Sequence, residues 1–274
     1  MRGAAALGGR RGESRCLYPA PMLKVRLMPG PTVPRHAADA LADIASDYHR
    51  FGYVVVASPF GHAEVAQWRR ECDRLWALPG TQEASEFRVD LRDTLDGRRV
   101  PERLDPVIDA SPVFAELSRD ERILRVARAL LGEDVVLFKD KLIVKTPGTL
   151  GYRTHQDFSY IAFLGFPGDR QLAISVAVDT TTKENGAIEV FPGHHTNLLP
   201  PAADDEFLVD ESVLDPTSVV TVPVEPGDLL IFHSLCPHRS RPNHTDKPRR
   251  LLFFTYNAIS AGDHYETYYR LGKP

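Results

Sequence analysis

Cysteine is scarce in this chain of 274 residues: three in all, Cys16, Cys72 and Cys236, far apart and forming no Cys-x-x-Cys pair. That argues against a disulfide framework or a zinc–thiolate cluster, and fits a protein kept in a reducing cytoplasm. Long apolar runs are missing as well. None approaches the roughly 20 residues that span a bilayer, so no membrane association is expected. Nor does one sign of charge dominate. The 33 Lys and Arg against 37 Asp and Glu leave a net charge of −4, which gives no electrostatic reason to expect nucleic acid as a partner. No internal repeat and no linker divides the chain. What is present, 43% hydrophobic and 26% charged residues, is the composition of an ordinary soluble globular protein.

Residues 1–22 are rich in Gly, Ala and Arg, lack periodicity and contain no apolar stretch of signal-peptide length. They are expected to be a disordered tail, or to precede a truer start at Met22. Residues 23–274 are then expected to form one domain, with a helical part over 36–132 and a β core over 135–258. In residues 36–49, Ala40, Ile44 and Tyr48 recur at helical spacing. YVVVA (53–57) is β-branched and strand-like. In 63–78 Val65, Trp68, Cys72 and Trp76 form one helical stripe, which predicts core packing for both tryptophans. The dense Asp and Arg of 88–106 predict a loop or lid. Residues 119–131 read as an amphipathic helix ended by Gly132.

From residue 135 the period becomes two. In 135–145, Phe138, Leu142 and Val144 are expected on one face and Lys139, Lys141 and Lys145 on the other. In 171–178 Leu172, Ile174, Val176 and Val178 alternate with smaller residues. Further strands are expected over 187–191, 219–224, 229–232 and 251–256, separated by Asn-Gly and Pro-Gly turns. Many short strands with such turns imply a sandwich or barrel.

Within THQD (154–157), His155 and Asp157 stand two apart, so an extended backbone projects both from one face. An imidazole and a carboxylate there supply two ligands of a 2-His-1-carboxylate iron site. PGDLLIFHSLCPHRS (226–240) then presents His233 and His238 as candidates for the third, His238 lying 81 residues after Asp157. Eleven residues beyond His238 comes Arg249, the first of an Arg-Arg pair opening an apolar strand. A guanidinium near the metal is what a dicarboxylate cosubstrate requires at its far end. On a strand Arg249 and Arg250 point to opposite faces.

KLIVKTPG, HQDFSY, ENGAIEVFPGHH, PGDLLIFH and His238-Arg-Ser followed by Pro-Asn and Arg-Arg occur in this order over residues 135–256. Together they resemble the phytanoyl-CoA dioxygenase family of Fe(II)- and 2-oxoglutarate-dependent oxygenases, including its branch of small-phosphonate hydroxylases. The resemblance implies a mainly β fold with flanking helices, a double-stranded β-helix or jelly-roll core, with iron at one mouth. It assigns iron to His155, Asp157 and His238, and the distal carboxylate of 2-oxoglutarate to Arg249 with Ser240 and Lys141. The family spacing of eleven selects Arg249 over Arg250. His194 departs from the family, standing where a small residue is usual, so no role is carried over for that turn. His194 and His195 are expected to be supporting or surface residues, and His233 a packing or supporting one.

Because Asp157 is present, hydroxylation of a small organic molecule by O2 is expected rather than halogenation. The resemblance also implies substrate contacts from Lys139 and Lys141. With Arg153, Arg239 and Arg241 these would make a cationic mouth suited to a phosphonate, phosphate or carboxylate; Phe158 and Tyr160 complete the expected substrate contacts. The alternatives are a larger natural-product or acyl-thioester substrate, or a catalytically silent binding module.

Overall fold

The computed structural model describes residues 32–77 and 88–271; the expected tail over 1–22 and the end of the helix at Leu78 lie outside them. Strand β1 (Arg35–Ala37), helix α1 (Leu41–Phe51), strand β2 (Tyr53–Ala57) and helix α2 (His62–Trp76) come first. Strands β3 (Arg88–Asp93) and β4 (Arg99–Asp105) and helices α3 (Pro112–Leu117) and α4 (Glu121–Leu131) follow. The remaining strands are β5 (Val135–Lys145), β6 (Tyr152–His155), β7 (Gln171–Ala177), β8 (Ile188–Val190), β9 (Pro201–Ala202), β10 (Asp205–Val209), β11 (Val220–Val222), β12 (Leu229–His233), β13 (His238–Ser240) and β14 (Arg249–Ala258). Helix α5 (Tyr265–Leu271) closes the described chain.

The strands form two sheets, one ordered β1-β2-β12-β7-β14-β5-β4-β3 and the other β11-β8-β13-β6-β10-β9. Apart from the parallel pair β1 and β2, neighbours run antiparallel. This is the jelly-roll core. The larger sheet is covered on both faces. Leu172, Ile174, Val176, Leu252 and Phe254 pack toward Ile44, Trp68, Ile123 and Val126 of the helices. Ala173, Ala177, Leu251 and Phe253 turn inward against Ile188, Val190 and Val222 of the smaller sheet. A period of two in a strand buried on both sides sorts residues between two cores rather than between core and water.

Phe254 is fully buried in the helix-side core. Phe254→Ala is expected to cost about 3–5 kcal/mol in urea unfolding. Ile259→Ala, at a half-exposed position, should stay within about 0.5 kcal/mol.

Three expectations need correction. Residues 88–105 are no loop but the hairpin β3–β4, whose β4 pairs with β5 through Arg103–Ile143 and Leu104–Leu142. It is held by ion pairs such as Arg103–Asp90 and Arg92–Glu102, so strand character is hidden under charge. The first predicted helix starts late, because residues 35–37 pair with β2 instead. Thus the segment 36–132 is not helical throughout. Finally, Phe138 does not share a face with Leu142 and Val144. The register against β14 slips between Thr255 and Tyr256, which pair with Lys139 and Leu137. That bulge sends Phe138 into a separate cluster with Phe158, Phe166 and Tyr268. Gly132 does end α4, in the left-handed conformation expected of a C-cap.

Candidate metal centre

Strands β6 and β13 lie side by side in the smaller sheet with His155 opposite His238, and the two imidazole centroids are 4.3 Å apart. Asp157 follows where β6 gives way to a 3₁₀ turn, Asp157–Tyr160. One ligand atom from each of the three lies within 4.8 Å of the others. His155 Nδ1 is 2.8 Å from the carbonyl of Arg153 and His238 Nδ1 is 3.0 Å from that of Cys236. A carbonyl only accepts, which assigns both protons to Nδ1 and leaves the two Nε2 lone pairs free.

The electrostatics suit a cation. Burial, then each other's proximity, brings His155 down to about 3, and burial also lowers His238. Both are therefore neutral, as ligation needs. For Asp157 burial acts upward, but Lys139 and Lys141 outweigh it and hold the carboxyl well below the usual range. Two neutral imidazoles and one carboxylate, on one side only, fit divalent iron with positions left for a chelate and O2.

Across from this cluster the larger sheet supplies the second wall of a cavity of about 160 Å³. Arg249, Lys141 and Phe253 from β14 and β5 line it, with Ser240 from β13 and Tyr268 from α5. Arg249 is 2% exposed and its Nη2 donates to the Gly186 carbonyl at 2.7 Å. Arg250, on the other face, pairs with Asp179 and Asp73 at 2.7 Å each. Lys139 Nζ stands 3.5 Å from Asp157, whose charge outweighs burial and raises the lysine. Lys141 has its ammonium over the Phe253 ring, 4.9 Å from the centroid. Burial, then Lys139, lowers it to about 8.

Tyr160 also lines the cavity, stacked on Phe207, but two other residues expected to touch substrate sit elsewhere. Arg153 turns outward to Asp204 at 2.9 Å. The reason is a register shift. His238 pairs with His155 and Ser240 with Tyr152, so one residue of β13 faces two of β6. The bulge brings Tyr152 into the cavity in place of Arg153. Phe158 belongs to the apolar cluster behind the wall and is not among the residues lining the cavity. The cationic mouth is also smaller than expected, because Glu189 takes both Arg239 (2.8 Å) and Arg241 (2.6 Å).

His233 lies outside the cluster. Its Nδ1 accepts from Leu235 N at 3.0 Å, and its ring packs near Tyr48 and His195. His195 Nε2 in turn donates to the carbonyl of His49. Arg103 and Asp105 were missed from sequence altogether. Both line the cavity from β4, joined at 3.1 Å, and the only signal was the Arg and Asp alternation that also suggested a lid.

A jelly roll that gathers two histidines and an aspartate at one mouth, with a buried arginine across from them, is a 2-oxoglutarate-dependent oxygenase. The phytanoyl-CoA dioxygenase (PhyH) model matches residues 48–251, and the chain belongs to that family. It is 33% identical over 223 residues to a methylphosphonate hydroxylase of Gimesia maris, covering 81% of this chain and 82% of that one. Among solved structures it resembles EctD from S. alaskensis with 2-oxoglutarate and 5-hydroxyectoine, at a TM-score of 0.69 and 28% identity over 81% of this chain and 78% of that one. It also resembles the epimerase SnoN in complex with Fe3+, alpha ketoglutarate and nogalamycin RO, at a TM-score of 0.67 and 25% identity over 80% and 84%.

Proposed function

We propose that the protein is an Fe(II)/2-oxoglutarate hydroxylase of a small metabolite bearing a phosphonate or a similarly compact anionic group. The observation that carries this reading is the pair Lys139 and Lys141, set on one rigid strand beside the His155–Asp157–His238 cluster. In this reading those three hold iron, and Arg249 with Ser240 holds the distal carboxylate of 2-oxoglutarate. When bound, iron and 2-oxoglutarate supply the oxidising chemistry that turns substrate and O2 into hydroxylated product, succinate and CO2. The protein binds and orients the substrate and keeps water away.

Charge balance supports an anionic substrate. Fe(II) and Arg249 together offset Asp157 and both carboxylates of 2-oxoglutarate. Arg103 is already paired with Asp105 and Asp90, and Asp140 is held by the Val107 and Ile108 amides, which leaves Lys139 and Lys141 as the cavity cations for an anion to meet. Size supports a compact molecule: about 160 Å³ lies below the roughly 300–1,000 Å³ of pockets for drug-sized ligands, which disfavours an acyl thioester. The complete donor set disfavours a silent binding module. Cys72 and Cys236 are buried and unpaired, which supports a reducing, cytoplasmic setting.

Succinate release with Fe(II), ascorbate and 2-oxoglutarate, measured across small phosphonates, phosphates and carboxylates, tests the reading. An anionic substrate should stimulate release, and neutral analogues should not. Lys141→Met keeps the aliphatic stem and removes the charge. It should raise KM for that substrate roughly tenfold and increase 2-oxoglutarate turnover uncoupled from product. Because Lys141 titrates near 8, its charge is present below that pH and lost above it. KM for the anion should therefore climb through pH 8 in the wild type and stay flatter in Lys141→Met. Equal KM and equal pH profiles in the two proteins would remove the lysine from the substrate site.

A further inference from the structure

At the far end of the cavity from the metal cluster, Arg249 is paired in register with Lys145, the last residue of β5. Lys145 is fully buried and Arg249 nearly so. Its Nζ donates to Ser240 Oγ at 2.7 Å and to the Arg241 carbonyl at 2.8 Å. Neither side chain has an ion-pair partner among the described residues; the nearby Glu102 is taken by Tyr152 Oη at 2.6 Å and by Arg92. Burial, then the Arg249 charge, pushes Lys145 down to about 6, so its ammonium is costly beside Arg249 unless an anion joins the two.

Ser240 reveals how Lys145 acts. A hydroxyl has two acceptor positions and one proton to give. Both acceptor positions are filled, by Lys145 Nζ and by the Tyr152 amide at 3.3 Å. The hydroxyl proton must therefore point elsewhere, and Ser240 lines the cavity. Gly186 makes room for this arrangement. At φ +77° it gives its carbonyl to Arg249, while a Cβ there would stand 2.4 Å from the Arg241 carbonyl and 3.2 Å from Lys145 Nζ.

We propose that Lys145 is a positioning residue for cosubstrate selection: it turns the Ser240 hydroxyl into a fixed donor toward the cavity and takes up positive charge beside Arg249 when a second carboxylate binds there, so that a 2-oxo acid ending in that carboxylate is preferred over one ending in a methyl group. This rests on the reading above that Arg249 and Ser240 take the distal carboxylate. Lys145 does its work without touching the cosubstrate.

The test is calorimetric binding, without turnover, of 2-oxoglutarate and of 2-oxopentanoate to protein loaded with Mn(II). The second acid has the same length but a methyl in place of the distal carboxylate. The readout is the ratio of the two affinities within each protein, which is insensitive to the folded fraction. Lys145→Met should lower the preference for 2-oxoglutarate by about tenfold or more, as expected for loss of a charge-assisted hydrogen-bond network. Combined with Ser240→Ala it should be far less than additive, because both remove the same donor. Should Lys145→Met not fold, Lys145→Gln carries the test, since it keeps a donor without the charge and should lose part of the preference. An unchanged ratio in Lys145→Met, or in Lys145→Gln, overturns the proposal, as does strict additivity with Ser240→Ala. Arg249→Lys separates the two levels. If it collapses the preference while Lys145 variants do not, the carboxylate site stands and the role of Lys145 falls. If Arg249→Lys also leaves the ratio unchanged, the carboxylate site itself is misplaced.

Discussion

His155→Ala, Asp157→Ala and His238→Ala each remove Fe(II) binding and abolish turnover, while far-UV circular dichroism stays that of the wild type. Loss of a residue that merely supports a ligand costs roughly 10–100-fold in metal affinity, so loss of a direct donor should exceed about 100-fold. The fold survives because the cluster lies at strand ends, whereas the apolar cores lie between the sheets and under the helices. The three variants should still differ in stability. Asp157 is the partner of Lys139 at 3.5 Å, and both side chains are almost fully buried. Asp157→Ala strands a buried ammonium, a change of the kind that costs about 3–5 kcal/mol when one partner of a buried pair is deleted. The lysine can shed part of that cost by giving up its proton. His155→Ala and His238→Ala strand no charge, so their melting temperatures should lie above that of Asp157→Ala. Equilibrium metal binding together with thermal unfolding checks all three. Wild-type affinity for Fe(II) in any one of them would take that residue out of the centre.

Arg249→Lys raises KM for 2-oxoglutarate far more than KM for the substrate. Lysine keeps a positive charge but loses the planar fork that meets a carboxylate with two parallel hydrogen bonds. It also leaves the Gly186 carbonyl, now bonded to Arg249 Nη2 at 2.7 Å, without its donor. The loss expected is about 1.5–3 kcal/mol, roughly 10- to 150-fold in affinity for 2-oxoglutarate. Arg250→Lys is the control. Its guanidinium reaches Asp179 and Asp73 on the opposite face of the strand, so it should cost some stability and leave KM for 2-oxoglutarate unchanged. The reverse pattern would mean that β14 presents its other face to the cavity.

The cluster was readable because its members obey local rules. His155 and Asp157 are two residues apart, His238 follows a Pro-Gly-Asp turn and an apolar strand, and the parity of β14 separates Arg249 from Arg250. The alternation in β5 likewise put Lys139 and Lys141 on the cavity side. Where alternation fails, so does the reading. A bulge in β6 exchanges Arg153 for Tyr152, and another in β5 removes Phe138 from the face of Leu142. Neither leaves a trace in residue type, because a bulge is a property of the pairing and not of one strand. The hairpin that delivers Arg103 and Asp105 was hidden for a different reason. Its contacts are ion pairs and a few apolar residues such as Leu104 and Val89, so the hydrophobic signal that marks a strand is thin. Tyr268 arrives from α5, more than a hundred residues beyond Asp157, through packing onto Phe138 at 5.2 Å between ring centroids. Only the assembled sheets bring it near Lys139.

The most direct measurement is product analysis under 18O2 with iron-loaded protein, 2-oxoglutarate and the anionic substrate that best stimulates succinate release. The account predicts a product heavier by one 18O atom in a newly formed hydroxyl and one succinate for each product molecule. It also predicts that His238→Ala forms neither. Unlabelled product, or no succinate above background with any small anionic compound tried, would contradict it.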